Sequence, residues 1–392
     1  MSDTTRWLLP NGIDELLPEQ ARRVEQCRRR LLDICAGWGY EYVVPPLVEF
    51  SDSLLVGLGA DLDELTCKFA DRETGKTLAV RADITPQVAR IDAHSLGREG
   101  VTRLSYAGST LKSVANSIPA DRSPVQMGAE IFGSAEIAAD VEIVDLLLSL
   151  VAQNGLSDLT FDIGHVAFCD LVLDATGLDA GQREAVLSLL ARKATSDLDR
   201  FLVTLSDAQE REQVKLLASM HGGRDVIARA REGFPNVPGV QALIDELETV
   251  LASCDRDGNV NIYIDLTEAH GYRYHSGVVF ALYARELGAA IAKGGRYDGV
   301  GEAFGRSRPA TGFAIDLKAW SMLADLPDAE ACFVLSPATN CMDLLAKEAD
   351  LRASGMVVIK ALGKAIDPRC TQQLVRIEDK WQLKPVEKTN GS

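Results

Sequence analysis

The chain predicts an α+β fold, and three observations predict it. Short strand-like runs recur at 41–44, 69–80, 103–107, 125–132, 159–163, 260–266, 278–283 and 289–293. Helical patterns fall between and outside them without regular strand–helix alternation, which favours an antiparallel sheet with flanking helices. From about 170 to 255 the strand signals thin out and amphipathic helical patterns take over, which reads as a helical insertion. With 392 residues the chain exceeds one small core. The pattern predicts a body over 1–325 and a small C-terminal α/β unit over 326–392.

Taken in order, the first helix is predicted from Pro18 to about Ala36. Pro18, Glu19 and Gln20 suit a first turn, and Val24, Cys27, Leu31, Ile34 and Cys35 recur at helical spacing. The arginines among them (22, 23, 28, 29 and 30) fit a solvated face with Glu25–Arg29 pairing better than a nucleic-acid patch. Gly37 and Gly39 end the helix before the strand at 41–44. Residues 69–80 form a hairpin turning at 73–76. Thr85 is expected to cap, and Pro86 to open, a helix running to about His94. A long loop, 108–124, separates the strands at 103–107 and 125–132. Asp140 is expected to cap a helix whose face is Val141, Val144, Leu147, Leu148 and Val151. Helices at 181–191 and 243–252 lie in the insertion. Thr311 opens a short strand or helix to Leu317. The tail carries strands at 333–335 and 357–360, a helix at 342–353 and a last element at 374–383.

Composition narrows the function. Lys and Arg number 41 against 57 Asp and Glu, a net charge of −16. Proteins that grip phosphates carry a basic footprint, so neither nucleic acid nor an anionic membrane is expected as partner. The opening residues lack the apolar core of a targeting segment, and no run is long enough to cross a bilayer, so a cytoplasmic location is expected. Eight dispersed cysteines form no CxxC pair, and five histidines show no ligand spacing. His165, beside Gly164, reads as a structural histidine. GxGxxG, Walker A and GxSxG are all absent from the sequence.

Four segments, in this order, resemble class II aminoacyl-tRNA synthetases of the histidyl type. LPNGIDELLP (9–18) is similar to that family's opening element. VRADITPQVAR (80–90) is similar to its R-P-E-G-T element, with Asp83 in the glutamate place and Thr85 retained. RLSYAG (103–108) through QMGAE (126–130) resembles the strands and loop of motif 2. GYRYHSGVVF (271–280), KGGRYDG (293–299) and GFAI (312–315) resemble the histidine-binding signature and the approach to motif 3. The resemblance spans 9–318 and implies the class II fold. That family also places a helical insertion between its third and fourth segments.

The departures matter as much as the matches. Adenylate formation needs rigid cationic forks on ATP. Lys112 stands where motif 2 carries arginine, with Val114 in place of its glutamate. His270 stands where the histidine signature opens with arginine, and Ala319 where motif 3 ends in arginine. Only residues 320–392 follow, short for an anticodon-binding domain. The resemblance therefore implies no catalytic residues, no cofactor and no metal. It also implies a surviving histidine-type pocket. Asp83, Thr85 and Gln126 would meet the ammonium and carboxylate, Glu130 would read the imidazole, and Tyr274 and Tyr297 would line the walls. His275 replaces a second tyrosine. The competing reading of Glu130 is a strand carboxylate paired to a neighbouring arginine.

This combination resembles the family of ATP phosphoribosyltransferase regulatory subunits, of which RADITPQVARIDAH (81–94) and AKGGRYD (292–298) look typical. That resemblance implies a non-catalytic protein acting in histidine biosynthesis. It would activate the short catalytic subunit, impose feedback inhibition by L-histidine, and form a homodimer within a hetero-oligomer. The rival readings are an active histidyl-tRNA synthetase and a free-standing histidine sensor.

Overall fold

The computed structural model describes residues 7–55, 60–115, 121–254, 260–267, 275–326, 332–363 and 366–386. The chain divides into two compact units, Met1–Leu326 and Pro327–Ser392. The strands of the first are β1 (Glu41–Val43), β2 (Val48–Phe50), β3 (Cys67–Ala70), β4 (Thr77–Val80), β5 (Thr102–Ser109), β6 (Val125–Phe132), β7 (Leu159–His165), β8 (His221–Gly222), β9 (Val260–Asp265), β10 (Val278–Ala284), β11 (Ala289–Arg296) and β12 (Ala310–Asp316).

Nine of these strands form one sheet in the order β1-β5-β6-β12-β11-β10-β7-β9-β8, and β2-β4-β3 form a small antiparallel sheet. The large sheet is antiparallel through its centre. Two pairs, β1/β5 and β7/β9, are parallel, so the sheet is mixed. Each parallel pair is joined through intervening helices or the small sheet, as a parallel connection requires. Residues 311–317 resolve as strand β12 followed by the helix Leu317–Leu323.

The first helix, Pro18–Gly37, buries Val24, Cys27, Leu31 and Cys35. Four of its five arginines, Arg23, Arg28, Arg29 and Arg30, have partners among the described residues. Arg28 and Arg29 pair with Glu25, each at 2.7 Å, and Arg23 donates to the carbonyls of Ser321 and Ala324. A solvated face with local pairs accounts for the basic run. The helix Ile137–Gln153 buries Ile143, Val144, Leu146, Leu147, Leu150 and Val151 in the main core. It starts earlier than expected. Glu136 is the N-cap residue, and Asp140 lies inside the first turns, buried against Arg296.

The Thr85–Arg90 helix also departs from expectation. Ile84 is its N-cap residue, because the Thr85 hydroxyl is committed to the sheet. Beyond Arg90 the helix widens into a π-turn, Ile91–Leu96, that ends on Gly97 at φ 56°. Asp92 is buried there and accepts Arg308 Nη1 on both oxygens, at 2.8 and 2.9 Å.

Between β7 and β9 lie the helices Ala167–Asp174, Ala180–Ala191, Thr195–Leu202, Ala208–Ala218, Asp225–Gly233 and Val240–Ser253, broken only by the two-residue β8 among the described residues. Their apolar faces (Phe168, Val186, Leu217, Phe234, Leu247) join the main core.

The second unit holds β13 (Phe333–Ser336), the helix Met342–Ala353, β14 (Val357–Lys360), β15 (Cys370–Ile377) and β16 (Lys380–Pro385), in the order β14-β13-β15-β16. The element expected at 374–383 is thus a hairpin. Its turn residues Glu378 and Asp379 have φ 46° and 62°, the twist that two-residue hairpin loops favour. Val334, Leu344, Leu351, Val358 and Leu374 form its own core.

Candidate functional site

The central strands β6, β12 and β11 form the floor of a cleft of about 460 Å³. At its base, Glu130 on β6 is 1% exposed. Register explains why it fits. Glu130 stands opposite Gly312 on β12, and a methyl at Gly312 would overlap the carboxylate. Gly128 stands opposite Tyr106 on β5, and a methyl there would overlap the tyrosine hydroxyl. Glycine at both positions lets polar side chains lie flat against the sheet.

Three hydroxyls converge on Glu130. Tyr297 donates to Oε2 at 2.6 Å; Thr85 and Tyr106 donate to Oε1 at 3.0 and 3.1 Å. The Thr85 and Tyr106 oxygens lie 2.9 Å apart. Burial pushes the Glu130 carboxyl up to about 8, against the opposing pull of these hydroxyls. Among the described residues, no arginine bonds to Glu130.

Asp83 forms the next station. Its Oδ1 accepts Gln126 Nε2 at 2.7 Å and the Thr85 amide at 3.3 Å. Gln126 in turn accepts the Ile84 amide at 2.9 Å, so both ends of its side chain are fixed. Below this point Arg81, also buried, ties Ser109 and Pro45 together through their carbonyls, each at 2.8 Å.

The cleft therefore gathers Asp83, Thr85, Gln126, Glu130, His275 and Tyr297, with Lys112 towards its outer end. Tyr274 and His270 lie outside the described residues. Ala319 is absent from the lining; its amide donates to Asp316 at the start of the Leu317–Leu323 helix. At the outer end Lys318 faces Asp121 at 3.3 Å and Ser123 at 3.4 Å. Asp316, raised by burial, also lines this end. Carboxylates thus accompany the lysines here, a poor setting for a polyphosphate. The inner end can accept and orient a small polar ligand with hydrogen-bond donors.

Sequence reasoning missed Tyr106. It is fully buried and sits on the strand beside Glu130. Its spacing from Leu104 places it on the pocket face, but only the β5–β6 register brings it to Gly128. The Lys318–Asp121 pair was also missed, since it joins distant segments.

Two family models match the chain. One described as Histidyl-tRNA synthetase covers residues 12–320. The other, described as ATP phosphoribosyltransferase subunit HisZ C-terminal domain, covers residues 331–384. The chain is 43% identical to the ATP phosphoribosyltransferase regulatory subunit of Chromohalobacter salexigens, over 98% of this chain and 100% of that protein. It is 43% identical to the same-named subunit of Ralstonia pickettii, over 97% and 98%. Among solved structures it resembles an ATP phosphoribosyltransferase regulatory subunit/histidyl-tRNA synthetase from Bacillus halodurans C, with TM-score 0.81, 26% identity and coverage of 94% and 96%. A histidyl-tRNA synthetase from Nostoc shares the fold, with TM-score 0.77, 17% identity and coverage of 97% and 94%.

Proposed function

Since the chain belongs to the family of ATP phosphoribosyltransferase regulatory subunits, we propose that it acts in histidine biosynthesis as the non-catalytic partner of the phosphoribosyltransferase's catalytic subunit. The observation that carries this reading is the extent of the match. Identity of 43% runs over nearly the whole chain, and the tail matches a domain particular to this family rather than an anticodon-binding domain.

The finer reading assigns the cleft to L-histidine. Asp83 suits the ammonium group, with Thr85 and Gln126 beside it. Glu130, held by its three hydroxyls, suits the imidazole, and Tyr297, His275 and Tyr274 complete the walls. The loss of arginine at Lys112, His270 and Ala319 removes three cationic positions that the synthetase uses on its nucleotide, which argues against the synthetase alternative. Histidine would act as feedback inhibitor by favouring one state of the complex, a coupling of about 1–3 kcal/mol in typical systems. A homodimer within a hetero-oligomer with the short catalytic subunit fits the exposed apolar side chains around β1–β3. Tyr42, Val44, Leu47, Phe50 and Phe69 are all exposed there, and Phe50 and Phe69 share one row of the small sheet. Among the described residues no helix is long and apolar enough to cross a membrane, in keeping with a cytoplasmic assembly.

Calorimetry with L-histidine tests the pocket. The expected result is binding to the wild type and a loss of at least tenfold in Glu130→Gln or Asp83→Asn. Binding undiminished in both variants would move histidine out of this cleft. Co-purification with the catalytic subunit separates the regulatory reading from a free-standing sensor.

A further inference from the structure

Arg296 and Tyr297 are neighbours at the end of β11, yet they serve opposite faces of the sheet. Tyr297 reaches Glu130 in the cleft. Arg296 turns to the helix side, where it is 8% exposed and all five of its N–H groups are used. Nε and Nη2 donate to Asp140 Oδ2 at 3.0 and 2.5 Å. Nη2 also reaches the Glu136 carbonyl at 3.2 Å; Nη1 reaches the Ser134 carbonyl at 3.0 Å and Asp298 Oδ1 at 3.3 Å.

These partners have a common feature. Ser134 and Glu136 belong to the segment that leaves β6, the strand carrying Glu130. Asp298 follows Tyr297, and its Oδ1 also accepts the Ala310 amide at 3.0 Å, which fixes the start of β12. Tyr297 itself donates its amide to the Ala310 carbonyl at 2.7 Å. One rigid guanidinium therefore braces the backbone on both sides of the Tyr297–Glu130 hydrogen bond. Asp140, 1% exposed on the Ile137–Gln153 helix, orients that guanidinium.

We propose that Arg296 and Asp140 are positioning residues for the ligand pocket, holding Tyr297 on Glu130 from the opposite face of the sheet. The assignment deepens the pocket reading and rests on it for the identity of the ligand, but not for the geometry. A buried pair that merely stabilised the fold would act on stability alone. A positioning pair acts through Tyr297.

That difference can be read in the full chain without ligand. Glu130 faces the hydroxyls of Thr85, Tyr106 and Tyr297 and the carboxylate of Asp83. Its ionisation would be followed by carbon NMR of labelled glutamate carboxyls, with the Glu130 signal assigned by Glu130→Gln. Tyr297→Phe removes a bond that favours the carboxylate, so the midpoint should rise above its starting value of about 8. Arg296→Lys keeps the charge but loses the fork. It should raise the midpoint in the same direction, and the double variant should move no further than Tyr297→Phe alone. Histidine affinity should follow the same non-additive pattern, with about a tenfold loss in each single variant. Asp140→Asn gives a second, milder route to the same measurement. The proposal is overturned if both variants lower the melting temperature but leave the midpoint in place, or if their effects add to that of Tyr297→Phe. A wild type that binds no histidine would sink the ligand assignment, while the NMR comparison would still decide the positioning role.

Discussion

At Glu130, burial and hydrogen bonding pull in opposite directions, and burial prevails. The carboxyl is held at about 8, above its ordinary value of 4.5. A carboxyl raised on folding binds its proton more tightly in the native state. Its stabilising contribution is complete below about 4.5 and is lost as pH rises through 8. Urea titrations across that window should show wild-type stability falling with pH, by a few kcal/mol at most. Glu130→Gln should flatten this part of the profile; an unchanged slope would show that other groups set it. Gly312 offers a steric counterpart. A side chain there meets the Glu130 carboxylate and the Ala129 carbonyl, so Gly312→Ala should cost about 1–3 kcal/mol by overpacking and close the cleft to ligand. The two effects are read separately, by denaturation and by calorimetry. The resemblance to the synthetase motifs named Asp83, Thr85, Gln126, Glu130, His275 and Tyr297, and the fold brings all six to one cleft. Tyr106 escaped notice because a buried tyrosine on a strand looks like core until its partner across the sheet is known.

The elements show where local signals suffice and where they fail. The first helix starts at Pro18 as its first turn predicts, and the hairpin of β3 and β4 forms where its turn residues place it. Two caps were misread for the same reason. Thr85 and Asp140 have the chemistry of N-caps, but each side chain is drawn to a buried partner, Glu130 or Arg296. Tertiary partners outweigh a local cap that is worth only about 1 kcal/mol. The π-turn was equally hidden; its buried Asp92 pairs with Arg308, far along the chain. Asp92→Ala should strand that guanidinium and cost about 3–5 kcal/mol; a loss under 1 kcal/mol in urea unfolding would show the pair to be dispensable. In the second unit, the hairpin turn places Glu378 and Asp379 at positive φ. Replacing them with Asn-Gly should stabilise this unit by roughly 1 kcal/mol, because that dipeptide suits such a turn. Amide exchange in β15 and β16 would report it.

For the whole molecule, length predicted two or three structural units and composition an acidic chain, but neither gave the order of its sheet. β12 enters between β6 and β11, and β10 meets β7 across the entire helical insertion. Such pairings are non-local, and a strand's own residues do not specify which neighbour it takes. The motif order supplied what periodicity could not: it carried the class II resemblance, and through it the fold and the family.

The central claim is that this chain regulates an enzyme without performing chemistry itself. The direct measurement is phosphoribosyl-ATP formation by the catalytic subunit from the same organism, alone, with this protein, and with L-histidine added. The regulatory account predicts a large rise in rate when this protein is present and suppression of that rise by histidine. It further predicts that suppression weakens in Glu130→Gln while activation persists. A rate unchanged by this protein, with no complex on a sizing column, would contradict the account.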